Sequence, residues 1–328
     1  MSADRVAYLR RRPWHDLAPA PGVVGVPSML SKVERRLLYA LARDYAGGDV
    51  AIVDAGCFLG GSTAALLAGV RDRPERWQGP PVASYDLFRV EPYMTEKFFA
   101  DDHAAKLGDS FRARFDANIA GFDVPHVVHE GDITKIGWSD GPIDLLFLDV
   151  LKSWEINDAM LRDFFPSLVP GRSVIVHQDY GWGFNPWIPI TVELMRDSLS
   201  LVDWMEWGSH VFLVERELPA DLLENGVSGL DPHTRIELVD RAVARSEGWP
   251  CGMLEINRAI LVAEREGNDA ALAELESIAQ RYQEYGFVLT CVADVRRNLG
   301  GEAEEPTVNT RFAGVRTRLA KALARGEG

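Results

Sequence analysis

The sequence predicts an α/β fold: a mostly parallel sheet wrapped by helices, ending in an antiparallel strand and followed by a helical module. Three observations carry this reading. Strand-like and helix-like runs alternate from residue 50 onward, the last two strand-like runs follow each other directly, and strand signals cease after residue 218. Within the alternation, Ile143-Asp144-Leu145-Leu146-Phe147-Leu148 has the nearly continuous apolar character of a strand buried on both faces.

Taken in order, the chain to about residue 26 mixes Arg, Pro and Gly, and an N-terminal arm over 1–30 is expected to be only partly ordered. Residues 31–45 place Val33, Leu37, Leu38 and Leu41 at helical spacing, with Ser31 as N-cap and Glu34 three residues on. Gly47-Gly48 stops that helix. Strands are predicted over 50–55, 82–88, 126–129, 143–150 and 172–177, then 201–207 and 210–215 in quick succession. Helices are predicted over 62–71, within 103–119, over 154–168 and over 191–198. The main domain is thus expected over 31–217, with a helical C-terminal module over 218–328. Its helices are predicted at 232–247, 252–266, 270–285, 287–298 and 310–325, with Gly and Asn as punctuation. Oligomerisation with a second copy, lid duty and scaffolding are all open to such a module.

Composition narrows the function. A length of 328 residues, 47% hydrophobic and 26% charged, suits a globular main domain with an appendage. The formal net charge of −14 argues against nucleic acid as a partner, because phosphate recognition needs a concentrated basic surface. Three scattered cysteines (Cys57, Cys251, Cys291) form no disulfide framework or zinc pattern, so reduced thiols and a cytoplasmic location are the expectation. No apolar run approaches the length of a membrane span, and no signal peptide is read.

The chemistry-bearing segment is Val53-Asp54-Ala55-Gly56-Cys57-Phe58-Leu59-Gly60-Gly61-Ser62-Thr63, a strand followed by a glycine turn and a helix start. Glycine lets backbone approach a ligand closely, and in an open parallel sheet this loop faces the crevice at the carboxyl ends of the strands. A helix N-terminus there can receive an anionic ligand end. A phosphate-cradling P-loop is excluded by the missing Lys, and the dinucleotide pattern of spaced glycines is absent. A glycine turn without ligand is the structural alternative. Asp86 ends the next strand in Tyr85-Asp86-Leu87-Phe88, where a carboxylate can accept from ribose hydroxyls. Gly131-Asp132-Ile133 closes the third, where Asp132 can accept an adenine amino group. Each alone is an ordinary cap or turn; their order at successive strand ends gives them weight.

With Leu148-Asp149, these segments resemble the successive motifs of class I S-adenosylmethionine-dependent methyltransferases, and most nearly the macrocin-type sugar O-methyltransferases. The resemblance covers roughly residues 25–215. It implies a Rossmann-like seven-stranded sheet with helices on both faces, S-adenosyl-L-methionine as cofactor, and methyl transfer to a small-molecule acceptor. The residues assigned to the cofactor are Asp54, Gly56, Phe58, Gly60, Gly61, Ser62, Asp86, Asp132 and Ile133.

Asp149 and Asp179 follow the fourth and fifth strands, and two hard oxygen ligands at one crevice suit Mg²⁺. Such an ion would lower the pKa of an acceptor hydroxyl and orient it. The resemblance supports these metal ligands. It departs at one point: the expected second ligand beside Asp179 is Gln178, a weaker amide donor. Lys152, three residues beyond Asp149, has the Asp-x-x-Lys spacing of the catechol-type enzymes, which makes it a candidate general base. His177 is the rival base, with a core histidine as the structural alternative. The loop 181–189, rich in Trp and Pro, either stacks on an acceptor or seals the sheet edge. Function is thus expected to be Mg-assisted O-methylation, against a metal-independent methyltransferase, a nicotinamide-dependent oxidoreductase, or a non-catalytic binding protein.

Overall fold

The computed structural model describes residues 3–99, 105–205 and 208–300. The helix predicted at 310–325 and the last two residues of the strand predicted at 201–207 lie outside them. In chain order the elements are α1 (Ala3–Arg11), α2 (Lys32–Ala40, prolonged by a π turn), β1 (Ala51–Ala55), α3 (Gly61–Arg71), β2 (Val82–Asp86) and α4 (Pro92–Lys97). There follow α5 (Arg112–Ile119), β3 (His126–Glu130), α6 (Ile133–Ile136), β4 (Ile143–Leu148), α7 (Trp154–Asp163) and β5 (Val174–His177). Then come α8 (Trp187–Leu194), β6 (Leu199–Trp204), β7 (His210–Val214) and α9 (Ala220–Asn225). The described chain ends with α10 (Pro232–Val243), α11 (Gly248–Glu266), α12 (Asn268–Arg281) and α13 (Gly286–Asn298).

The strands form one seven-stranded sheet in the order β3-β2-β1-β4-β5-β7-β6. β1 to β5 pair in parallel, and β7 alone runs against the rest. The expectation of a parallel sheet closed by an antiparallel strand is met. The order reverses beside β1, which places the ligand crevice of such sheets outside the carboxyl ends of β1 and β4. β1 and β4 are buried at every position, as central strands covered on both faces must be. Edge strand β3 is only half-buried.

The N-terminal arm departs from expectation, being ordered and packed. Leu9, Trp14, Val23, Val26 and Leu30 are buried. Trp14 Nε1 donates to Asp203 on β6 at 2.8 Å, and Arg12 pairs with the same carboxylate at 3.2 Å. Arg35 and Arg36 on α2 donate to the carbonyls of Val23 and Leu17. These anchors have irregular spacing, so no periodicity announces them. α2 begins as foreseen, with Ser31 and Glu34 forming a reciprocal capping box.

The chain divides into two compact units whose boundaries differ from a simple cut near residue 217. The sheet unit takes the described residues within Met1–Val90, Gly108–Asp179 and Met195–Gly226; the helical unit takes those within Glu91–Leu107, Tyr180–Leu194 and Val227–Gly328. α9 therefore belongs with the sheet. In the helical unit, Met253, Ile256 and Ile260 of α11 share a core with Leu275 and Ile278 of α12 and Val288, Val292 and Val295 of α13.

The aromatic loop after β5 belongs to the helical unit, with Phe184 in its core and Trp182 packed against it. Phe184 and Trp187 are buried. The Trp182 ring lies 5.4 Å from Phe184 and 5.3 Å from Phe287, and Asn257 Nδ2 donates to the Trp182 carbonyl at 2.9 Å. No helix among the described residues is long and apolar enough to cross a membrane.

Candidate active site

Strand register brings the singled-out residues to one edge of the sheet. Ala55 pairs with Tyr85 and with Leu148, Asp86 with Glu130, and Leu148 with His177. Backbone bonds continue past the strand ends: Gly56 N–H to Tyr85 O at 2.9 Å, Asp149 N–H to Ala55 O at 2.8 Å, Gly131 N–H to Asp86 O at 2.9 Å and Gln178 N–H to Leu148 O at 3.0 Å. The loops carrying Gly56, Asp86, Asp132, Asp149 and Asp179 are thereby fixed side by side.

Gly56 is required on two counts. Its φ of +97° disfavours any side chain, and an added Cβ would stand 2.5 Å from the Asp149 carbonyl oxygen. Gly60, at φ +94°, opens α3. A Cβ on Gly61 would lie 2.3 Å from Ser28 Oγ, so the N-terminal arm seats directly on the start of α3. Phe58 is left-handed without being glycine, at φ +47°. Its N–H donates to Asp86 Oδ2 at 2.8 Å, while Phe88 N–H donates to Oδ1 at 2.7 Å. Asp86 thus has both oxygens oriented by backbone, and a carboxylate retains further lone pairs for a ligand's hydroxyls.

Asp54 is fully buried; its Oδ2 accepts from Ser62 at 3.0 Å and from Thr63 at 2.5 Å. Its Oδ1 has no hydrogen-bond partner among the described residues. Burial raises its pKa to about 7, with Asp149 and Asp86 pushing the same way against the two hydroxyls. Ser62 is itself buried and committed to Asp54, so it shapes the loop from within. Asp132 serves as N-cap of α6, accepting Thr134 N–H at 3.0 Å, and pairs with Lys135 at 3.0 Å; these bonds hold its carboxyl below the ordinary range. Ile133 is buried behind it. Two features escaped the sequence reading: Leu87 and Ile136 are exposed apolar side chains next to Asp86 and on the helix that Asp132 caps. The signal was there in Asp86-Leu87, an apolar residue directly after a strand-end acid.

These residues fit an adenosyl cofactor in two respects: a left-handed glycine turn at the carboxyl end of β1, and an acid at the end of β2 whose oxygens are oriented by backbone.

Lys152 is where the second constellation converges. Its Nζ lies 2.8 Å from Asp149 Oδ1 and in close contact with Asp179 Oδ2. One ammonium therefore bridges the two acids intended for a metal. Gln178, the third proposed ligand, has its amide oxygen against Ser209 Oγ instead. Among the described residues no three acid, histidine or cysteine side chains cluster as a metal site. Lys152 stands between Asp149 and Asp179, where an ion would have to sit, and Gln178 is turned to Ser209, so these side chains do not fit Mg²⁺.

His177 is corrected as a base. It is fully buried near Phe165 and Phe212, and neither ring nitrogen meets a partner among the described residues. Burial, helped by His210, lowers its pKa to about 3. It is a neutral core histidine with no access to the crevice.

No protein-family model matches the chain, and no curated protein matches it significantly. Similar solved structures include a TDP-rhamnose 3'-O-methyltransferase of calicheamicin biosynthesis, 17% identical over 65% of this chain and 95% of that one, with a TM-score of 0.40. Another is the O-methyltransferase TomG of tomaymycin synthesis from Streptomyces achromogenes, 16% identical over 66% and 92%, also at 0.40. A third is the O-methyltransferase from Bacillus cereus, 15% identical over 66% and 92%, at 0.36. Likenesses this loose leave the sheet order as the ground for the fold. The chain has a Rossmann-like, seven-stranded α/β fold with β7 alone reversed, the architecture that resemblance to class I methyltransferases implies.

Proposed function

We propose that this protein is an S-adenosylmethionine-dependent O-methyltransferase acting on a hydroxyl of a small molecule such as a sugar or natural-product-like metabolite. One observation carries the reading: the Gly56 loop and Asp86 are tied together at the same sheet edge as the Asp149–Lys152–Asp179 triad. When bound, the cofactor supplies an electrophilic methyl group on its sulfonium. In this reading the cofactor lies against the Gly56–Gly60 turn, the N-terminus of α3 receives its carboxylate, Asp86 accepts hydrogen bonds from its ribose hydroxyls, and Asp132 accepts one from its adenine amino group.

The triad handles the acceptor's proton. Lys152, bridged by two carboxylates, acts as a fixed cation that stabilises the developing alkoxide. Asp149 or Asp179, both held by that ammonium, takes up the proton. This changes the role first read for Lys152 from base to electrostatic anchor. No step runs through Mg²⁺.

The test is transfer of label from S-adenosylmethionine to a panel of hydroxylated acceptors, with and without EDTA. The expected result is O-methylation unchanged by chelator. Activity lost in EDTA and restored by Mg²⁺ would overturn the metal-free triad. Absence of transfer with tight NADH binding would point to an oxidoreductase.

A further inference from the structure

A buried polar chain runs from α2 to the end of β5, and neither the cofactor loop nor the lysine triad uses it. Glu34 is 1% exposed. Its Oε2 accepts the Ser31 backbone N–H at 2.7 Å, closing the capping box. Its Oε1 lies 2.5 Å from Ser209 Oγ, and the same hydroxyl contacts Gln178 Oε1. Ser209 is fully buried, one residue before β7.

With the amide oxygen of Gln178 facing Ser209, counting protons constrains this chain. A hydroxyl has one proton to donate, and Ser209 faces two oxygens. An amide oxygen has none to give. If Ser209 donates to Gln178, its other contact needs a donor, and the Glu34 carboxyl supplies one only when protonated. The surroundings favour that form: burial raises the pKa of Glu34, the negative charge of Asp179 adds to the rise, and the serine bonds only partly oppose it. An ionised, buried carboxylate without a cation would be costly.

We propose that Glu34 is a neutral carboxylic acid in the folded protein and that, through Ser209 and Gln178, it fixes the end of β5 and so holds Asp179 against Lys152. Glu34 is on this account a positioning residue: it touches neither cofactor nor acceptor.

Two measurements test this on the full chain. Infrared difference spectroscopy at neutral pH, comparing the protein with Glu34→Gln, is expected to show a protonated-carboxyl carbonyl band that the variant lacks. This arm is independent of any enzyme activity. The kinetic arm rests on the methyltransferase reading: Glu34→Gln, whose amide can still donate to Ser209, is expected to keep kcat within about threefold, whereas Glu34→Ala loses at least about tenfold with cofactor KM unchanged. No protonated-carboxyl band overturns the inference, as does a Glu34→Gln loss as large as that of Glu34→Ala. If S-adenosylhomocysteine fails to bind the unmodified protein, the methyltransferase reading fails separately, and with it the role assigned to Glu34.

Discussion

The backbone N–H of Phe58 donates to the carboxylate of Asp86 at 2.8 Å, joining the turn after β1 to the end of β2. Phe58 holds a left-handed conformation that costs a non-glycine residue roughly 1–3 kcal/mol. A hydrogen bond to a charged acceptor offsets about that much. Asp86 therefore shapes the cofactor loop as well as offering it a ligand oxygen. Asp86→Ala is expected to weaken S-adenosylhomocysteine binding by at least tenfold, and Asp86→Asn by less, because an amide oxygen preserves one acceptor. Calorimetric titration of both variants checks this; equal and full affinity in Asp86→Ala would remove Asp86 from the site.

Lys152 distinguishes a cation from a base. Arginine keeps the charge but cannot be deprotonated in a protein. Lys152→Arg is expected to retain a measurable fraction of kcat, while Lys152→Ala loses roughly 10²–10³-fold, the range seen when a single charge-stabilising donor is removed. Steady-state assays decide: Lys152→Arg as inactive as Lys152→Ala would return Lys152 to the role of general base.

His177 offers the opposite case. A catalytic base removed costs roughly 10²–10⁴-fold, but this ring is buried with both nitrogens unpartnered among the described residues. His177→Leu, of similar volume and with no polar atom to satisfy, is expected to leave kcat within about threefold and the Tm unchanged or higher. A hundredfold drop in kcat with intact folding would show that His177 reaches the chemistry.

Asp54 sets a pH dependence of stability. Burial first, then Asp149 and Asp86, lift its pKa from the ordinary 3.8 to about 7 in the folded protein. Between those values the folded chain keeps a proton that the unfolded chain has released. The contribution of this residue is therefore fully present below about pH 4 and lost as pH rises toward 7, at up to about 1.4 kcal/mol per pH unit. Asp54→Asn keeps an acceptor for Ser62 and Thr63 without the charge. Urea midpoints measured from pH 4 to 8 are expected to decline less steeply in the variant than in the unmodified protein. Parallel curves would contradict this assignment.

Strand alternation was legible because parallel strands buried on both faces, such as Ile143–Leu148, must be apolar throughout, and because their ends carried isolated acids and glycines. The capping box at Ser31 and Glu34 was legible for the same local reason. What escaped is non-local. The N-terminal arm is fixed by Trp14 reaching Asp203, 189 residues away, which no window of sequence can show. The tryptophan loop found its partners in α11 and α13. Asp149 and Asp179 both lie against Lys152, and spacing alone gives no sign that this lysine bridges them. Glu34 was seen as a helix cap; only the fold places Ser209 at its other oxygen.

On the reading proposed above, the Gly56 loop and Asp86 hold an adenosyl cofactor. Calorimetric titration of the purified protein with S-adenosylhomocysteine, run beside NADH, tests it most directly. Saturable one-to-one binding of S-adenosylhomocysteine is expected, weakened at least tenfold in Asp86→Ala, with none of NADH. Binding of NADH without S-adenosylhomocysteine, or of neither, would contradict it.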